Sequence, residues 1–146
     1  MHENLLWNAN QGTIVYTLNN KVIKENTKTR QQNVFADSTV RLSCLAQTET
    51  GKFVAAAEGE TNASGNSYIY LYDMETHKLI NKLTFHQKGV QAIAFADKGK
   101  VLISLGVSDE NALAVWDISQ GLVLKSALIP GHSTNQIIVN KQESEI

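Results

Sequence analysis

The stretch VQAIAFADKGKVLISLGVSDENALAVWD, Val90 to Asp117, decides the fold. Val90 to Ala96 is an apolar run with one polar interruption, and Asp97-Lys98-Gly99-Lys100 is a turn. Val101 to Leu105 is apolar on both faces, and Leu113 to Trp116 is a third short strand closed by Asp117. Runs of this kind, bounded by turn residues, read as short strands buried inside an antiparallel sheet. The pattern has an echo from Leu42 to Asp73. There Thr48-Glu49-Thr50-Gly51-Lys52 is the first turn, Phe53 to Ala57 the doubly buried strand and Ile69-Tyr70-Leu71-Tyr72-Asp73 the third strand. Gly51 and Gly99 lie 48 residues apart, whereas Tyr72-Asp73 and Trp116-Asp117 lie 44 apart, because the loop after the second strand is longer in the earlier unit.

A period of about 40–45 residues, with four short strands and an aromatic-Asp pair ending the third, is the sequence signature of a propeller blade. On these residues the chain resembles the WD-repeat β-propeller family. The motifs are Trp116-Asp117, its variant Tyr72-Asp73, Gly131-His132 opening a further unit, and His86 in the same role behind Phe85. The resemblance implies an all-β fold, a partial WD-repeat β-propeller of about three four-stranded antiparallel blades. Within residues 1–146 the blades fall at 39–85 and 86–128. Residues 4–35 form an irregular blade, 129–140 start a further one with Gln136 to Val139 as its innermost strand, and 141–146 are a polar tail.

In the irregular blade, Asn4 to Asn8, Thr13 to Leu18, Val22 to Asn26 and Arg30 to Phe35 are the expected strands. Gly12 aligns with Gly51, and Asn26 stands in the place of Asp73 and Asp117 with no aromatic before it. The length amounts to about three and a half periods, whereas propellers close with about 4–8 blades. The expectation is a piece of a longer chain, a truncated product, or a ring completed by the remaining blades, in cis or from another chain.

Thirteen Lys and Arg against fourteen Asp and Glu give a net charge of −1. Bulk electrostatics therefore favour neither nucleic acid nor an anionic membrane. No apolar run approaches the roughly 20 residues that span a bilayer. Met1-His2-Glu3-Asn4 lacks the basic start and apolar core of a signal peptide. The single cysteine, Cys44, sits in an apolar strand as a buried filler and points to a reducing compartment. The basic stretch Lys21, Lys24, Lys28 and Arg30 reads as edge-strand charge that blocks unwanted strand pairing.

The family resemblance implies a hydrogen-bonded network of a blade-opening His, a second-strand Ser, a turn Asp and the third-strand Trp. The matching positions are His86, Ser104, Asp109 and Trp116, and the aromatic-Asp ends Tyr72-Asp73 and Trp116-Asp117, with His132, belong to the same structural set. His, Ser and Asp together also evoke a hydrolase triad. No Gly-X-Ser-X-Gly elbow and no His-Glu-X-X-His motif occurs, and His2, His77, His86 and His132 have no ligand spacing. No catalytic residue, cofactor or metal is expected, and His86 reads as a structural histidine. Alternation places Tyr68, Tyr70 and Tyr72 on one face of their strand, as packing between blades.

Glu58 to Ser67 (EGETNASGNS) reads as a mobile loop, and Asn62-Ala63-Ser64 as an accidental glycosylation match. The two loops that follow second strands supply the candidate partner-binding residues. These are Glu58, Glu60, Asn62, Ser64 and Asn66 in one, and Ser108, Glu110 and Asn111 in the other. The extended loops Glu58 to Ser67 and Val107 to Asn111 are similar to those of the microtubule-associated and ciliary group of WD-repeat proteins, which includes the echinoderm microtubule-associated protein-like family. That resemblance implies a noncatalytic scaffold at a cilium, axoneme or centriole, with other proteins as partners and neither nucleic acid nor membrane. The alternatives are a signalling scaffold, a phosphopeptide- or ubiquitin-reading adaptor, and a propeller hydrolase.

Overall fold

The computed structural model describes residues 5–9, 11–107 and 110–128. Three four-stranded antiparallel sheets follow one another along the chain, and in each the strands lie in sequence order. The first contains β1 (Leu5–Asn8), β2 (Thr13–Leu18), β3 (Lys21–Asn26) and β4 (Gln32–Phe35). The second contains β5 (Leu42–Gln47), β6 (Phe53–Glu58), β7 (Ile69–Asp73) and β8 (Lys78–Leu83). The third contains β9 (Val90–Ala96), β10 (Val101–Gly106), β11 (Ala112–Asp117) and β12 (Leu122–Leu128). The only helical element among the described residues is a 3-10 turn at Asp97–Gly99. The expected fourth unit and its His132 lie outside the described residues.

The same backbone devices recur in each sheet. The first residue of the second strand faces the last residue of the third, in the pairs Thr13–Asn26, Phe53–Asp73 and Val101–Asp117. One step outward, the amides of Thr27, Met74 and Ile118 donate to the carbonyls of Gly12, Lys52 and Lys100 at 3.0, 2.7 and 3.1 Å. This register corrects the alignment of Gly12 with Gly51 by one residue. Arg30, placed by sequence at the start of the outer strand, belongs instead to the turn.

The acidic or amide residue that ends each third strand has a defined role. Asn26 Oδ1 accepts from the amides of Lys28 and Thr29, and Asp73 Oδ1 from those of Glu75 and Thr76. Asp117 Oδ1 accepts from Ser119 Oγ and the Gln120 amide. Such side-chain-to-backbone bonds close a turn without further secondary structure. Four residues on, Arg30, His77 and Gly121 have φ of 64°, 58° and 68°. The turn needs a left-handed residue there, and the third sheet supplies glycine, which adopts that region without steric cost.

Strand alternation sends the two faces of the second sheet into different cores. Val54, Ala56, Tyr70 and Tyr72 join Val15, Val22 and Phe35 of the first sheet. Ala55, Ala57, Ile69 and Leu71 join Leu102, Ala114 and Trp116 of the third. A sheet buried on both faces accounts for the unbroken apolar runs seen in sequence. The alanines at 55–57 leave room for rings on both sides. Phe35 and Tyr72 have centroids 4.7 Å apart, and Tyr70 and Tyr72 stack at 6.3 Å. Cys44 is buried in the core between the second and third sheets, and burial pushes its thiol up to about 12.

Candidate functional site

The polar chemistry of the chain concentrates where each sheet meets the segment that enters it. In the third sheet, β10 brings Ser104 and β11 brings Trp116 to the same face, and the turn before β9 brings His86 beneath them. Trp116 Nε1 donates to Ser104 Oγ at 2.9 Å, and Ser104 Oγ lies 2.7 Å from His86 Nε2. On its other nitrogen, Nδ1, His86 bonds the Glu110 carboxylate. Burial holds His86 below the ordinary imidazole value, against Glu110, which acts to raise it. A neutral ring with its proton on Nδ1 satisfies the whole relay. Trp116 donates to Ser104, Ser104 donates to His86, and His86 donates to Glu110.

Glu110 also closes the turn. Its Oε1 accepts from the amides of Gln87 and Lys88, the latter at 3.1 Å. In the sequence Glu110 reads as a partner-binding loop residue and Asp109 as the acid of the network. The structure places Glu110 on His86, while Asp109 and Ser108 lie outside the described residues. The longer Glu side chain reaches the ring from one position further along the loop. Gly106 provides the space, because a Cβ there would stand 2.3 Å from Glu110 Oε2 and 3.1 Å from His86 Nδ1.

The second sheet fills the same slot differently. Ser38 stands four residues before β5, as His86 stands four before β9, and Glu58 occupies the strand position of Gly106. Glu58 is fully buried. It accepts from Ser38 Oγ at 2.7 Å, Asn62 Nδ2 at 2.7 Å, the Tyr68 amide at 2.8 Å and Tyr70 Oη at 2.9 Å. Four donors around one carboxylate are what a buried charge requires in place of water. Burial and the hydrogen bond to Glu58 raise the Tyr70 hydroxyl. Burial and Asp37 raise that of Tyr72, whose Oη donates to Asp37 Oδ2 at 2.9 Å. In the first sheet Glu25 takes the place of Tyr72 and Trp116, and bonds Gln32, Arg30 and Tyr16 at 2.7, 2.8 and 3.2 Å.

These bonds correct the reading of Glu58 to Ser67 as a mobile loop. Glu58, Asn62 and Ser67 are buried, and the segment is tied to the third sheet's entry by the Ser67 amide to the His86 carbonyl at 2.8 Å. Glu58 and Asn62 are therefore not free to meet a partner, and the Asn62 amide nitrogen is held inside by Glu58. Glu60 and Ser64 are exposed, and Asn66 and Asn111 half-buried. Lys24 is also reassigned: it lies on an interior strand and reaches across to the second sheet, rather than guarding an edge.

No family model matches the chain. Over 110 residues it is 31% identical to cilia- and flagella-associated protein 52 of Chlamydomonas reinhardtii, a match covering 75% of this chain and 18% of that protein. Over 150 residues it is 29% identical to centriole proteome protein 16 of the same alga, covering 83% of this chain and 7% of that one. Among solved structures, the WD40 repeats of RRP9 superpose with a TM-score of 0.72 at 16% identity, over 88% of this chain and 39% of that one. The three sheets are WD-repeat blades. With that frame, His86, Ser104 and Trp116 occupy blade-opening, second-strand and third-strand positions of the third blade. Asp73, Asp117 and the variant Asn26 end the third strands of three successive WD-repeat units. The chain spans less than a fifth of the length of either algal relative.

Proposed function

We propose that the chain acts as a noncatalytic protein-interaction scaffold in a ciliary or centriolar, microtubule-based assembly. The observation that carries this reading is the 31% identity, over three quarters of the chain, to a cilia- and flagella-associated protein. The extended loops at 58–67 and 107–111 support the narrower likeness to the echinoderm microtubule-associated protein-like group.

Absence of turnover rests on geometry. Ser104 and His86 are fully buried, and Ser104 Oγ already receives the Trp116 N–H. A nucleophile enclosed in this way has no path to a carbonyl carbon, although its spacing to His86 is that of an activated serine. The partners are other proteins of a cytoskeletal complex, together with the remaining blades of the ring, in cis or from another chain. The exposed residues of the 58–67 loop, Glu60 and Ser64, and the half-buried Asn66 and Asn111 are the contact points of the scaffold. Nucleic acid and membrane are not among its partners, because the net charge near zero provides no bulk attraction to either.

Proximity labelling from the tagged protein in ciliated cells tests the assignment. Enrichment of axonemal or centriolar proteins is the expected result. A diffuse cytosolic signal, absence from isolated axonemes and centrioles, and recovery of kinases would replace it with a signalling scaffold.

A further inference from the structure

The face of the first blade turned toward the second is apolar in its middle, at Val15, Val22 and Phe35. It is polar at the end nearest the β3–β4 turn. There Thr13, Lys24, Asn26, Gln31, Asn33 and His77 line an open depression of about 140 Å³. Lys24 Nζ donates to the Met74 carbonyl at 2.8 Å and to His77 Nε2 at 3.2 Å. The Met74 acceptor is a neutral carbonyl. Among the described residues no carboxylate forms an ion pair with Lys24. Burial lowers the Lys24 pKa, and the charge of Glu75 opposes this. Thr13 is 7% exposed, and its hydroxyl has no hydrogen-bond partner among the described residues.

Buried hydroxyls are normally bonded, and that of Thr13 is an exception. Here a partly desolvated cation that makes no direct ion pair and an unpartnered buried hydroxyl line the same hollow. The amide side chains of Gln31 and Asn33 add neutral donors. We propose that this seam between the first and second blades is a binding site for a small oxyanion, carboxylate or phosphate, held by the Lys24 ammonium, the Thr13 hydroxyl and the amides of Gln31 and Asn33. The hollow is smaller than the roughly 300–1,000 Å³ of sites for drug-sized ligands, so it takes one anionic head group and not a nucleotide. The proposal is independent of the cellular compartment in which the chain works.

Titration calorimetry on the full chain tests it, with inorganic phosphate and with succinate as separate probes. Saturable one-to-one binding with a Kd of about 1 mM is expected, roughly the affinity of one charged contact in a shallow site. Lys24→Gln should weaken binding at least about tenfold. Asn33 is exposed, so Asn33→Asp leaves folding intact while placing a carboxylate at the rim, and should weaken binding by a similar factor through like-charge repulsion. Binding of phosphate alone would identify the free ion as ligand, and binding of both probes would make an acidic side chain of a partner an equal source. No saturable binding of either probe to the parent, or undiminished binding to Asn33→Asp, would overturn the site.

Discussion

Replacing Ser104 by alanine removes one oxygen and strands two partners. Trp116 Nε1–H, now bonded at 2.9 Å, and His86 Nε2, at 2.7 Å, would both remain buried with nothing to bond. Leaving a buried donor or acceptor unsatisfied costs about 1–3 kcal/mol per group. Part of that is recovered because alanine is easier to desolvate than serine, so the expected loss is about 2–4 kcal/mol. Sterics do not contribute, since the second blade carries Ala56 at the equivalent position, fully buried, beneath Tyr72 in place of Trp116. Denaturant unfolding followed by tryptophan fluorescence gives the stability difference. A cycle with Trp116→Phe, which removes the N–H and keeps most of the ring, isolates the Ser–Trp term, expected at about 1–2 kcal/mol of coupling. A Ser104→Ala protein within about 0.5 kcal/mol of the parent would show that the relay does not hold the blade, because surface-like substitutions fall in that range.

Acid should weaken the third blade through His86. Its folded value lies below the ordinary imidazole range, so the unfolded chain binds a proton first. The contribution is complete above about pH 6.5 and is lost as pH falls below it, with a slope of at most about 1.4 kcal/mol per pH unit. Above about pH 4.5 the depressed carboxylates Glu25, Asp73 and Asp117 are ionised in both states and add no slope, so the slope between these limits, absent in His86→Asn, is the measurement. Glu58→Gln keeps the shape of the side chain and turns one acceptor oxygen into an NH2 facing donors. It should destabilise by about 2–4 kcal/mol in thermal melts, with greater hydrogen exchange at the Tyr68 amide. A Glu58→Gln melt superposable on the parent would remove the organising role given to that carboxylate.

The blades are legible in the sequence because their information is local. Doubly apolar runs, the Gly51 and Gly99 turns and the Asp73 and Asp117 strand ends are each read within a few residues, and the pairing of strands in sequence order follows from short connections. Tyr68, Tyr70 and Tyr72 fall on one face by alternation alone. What stays hidden depends on groups far apart in the chain. The loop after β6 has the Gly, Ser and Asn content of any flexible segment, and nothing local says that Glu58 gathers Ser38, Asn62, Tyr68 and Tyr70. The bond from Glu110 to His86 depends on side-chain length, which spacing does not show. The one available signal for Glu110 is Gly106, a residue without a side chain at the end of a buried strand. The interior place of Lys24 stays hidden because a charge on a strand says nothing of whether the strand lies inside the sheet.

Across the three blades the backbone devices are constant while the chemistry in the slot changes. The Asx turn and the left-handed fourth residue recur with Asn26, Asp73 and Asp117 and with Arg30, His77 and Gly121. At one third-strand position stand Glu25, Tyr72 and Trp116, and the carboxylate comes from the strand in the second blade and from the loop in the third. Selection for a reaction would fix the identity and spacing of reacting groups, whereas selection for a satisfied interior requires only that every buried donor meet an acceptor. Ser38–Glu58–Tyr70 and His86–Ser104–Trp116–Glu110 are two solutions to the second requirement. Both are closed inward, with Glu58, His86 and Ser104 fully buried. Each also pins a loop, Glu58 through Asn62 and the Tyr68 amide, and Glu110 through the amides of Gln87 and Lys88. A loop fixed at its root loses less conformational entropy when it meets a partner. On the proposed scaffold role, the buried Glu58 carboxylate acts on recognition from beneath by holding Glu60, Ser64 and their neighbours in one arrangement, and a variant that loosens Glu58 is expected to weaken partner binding at a distance from those residues.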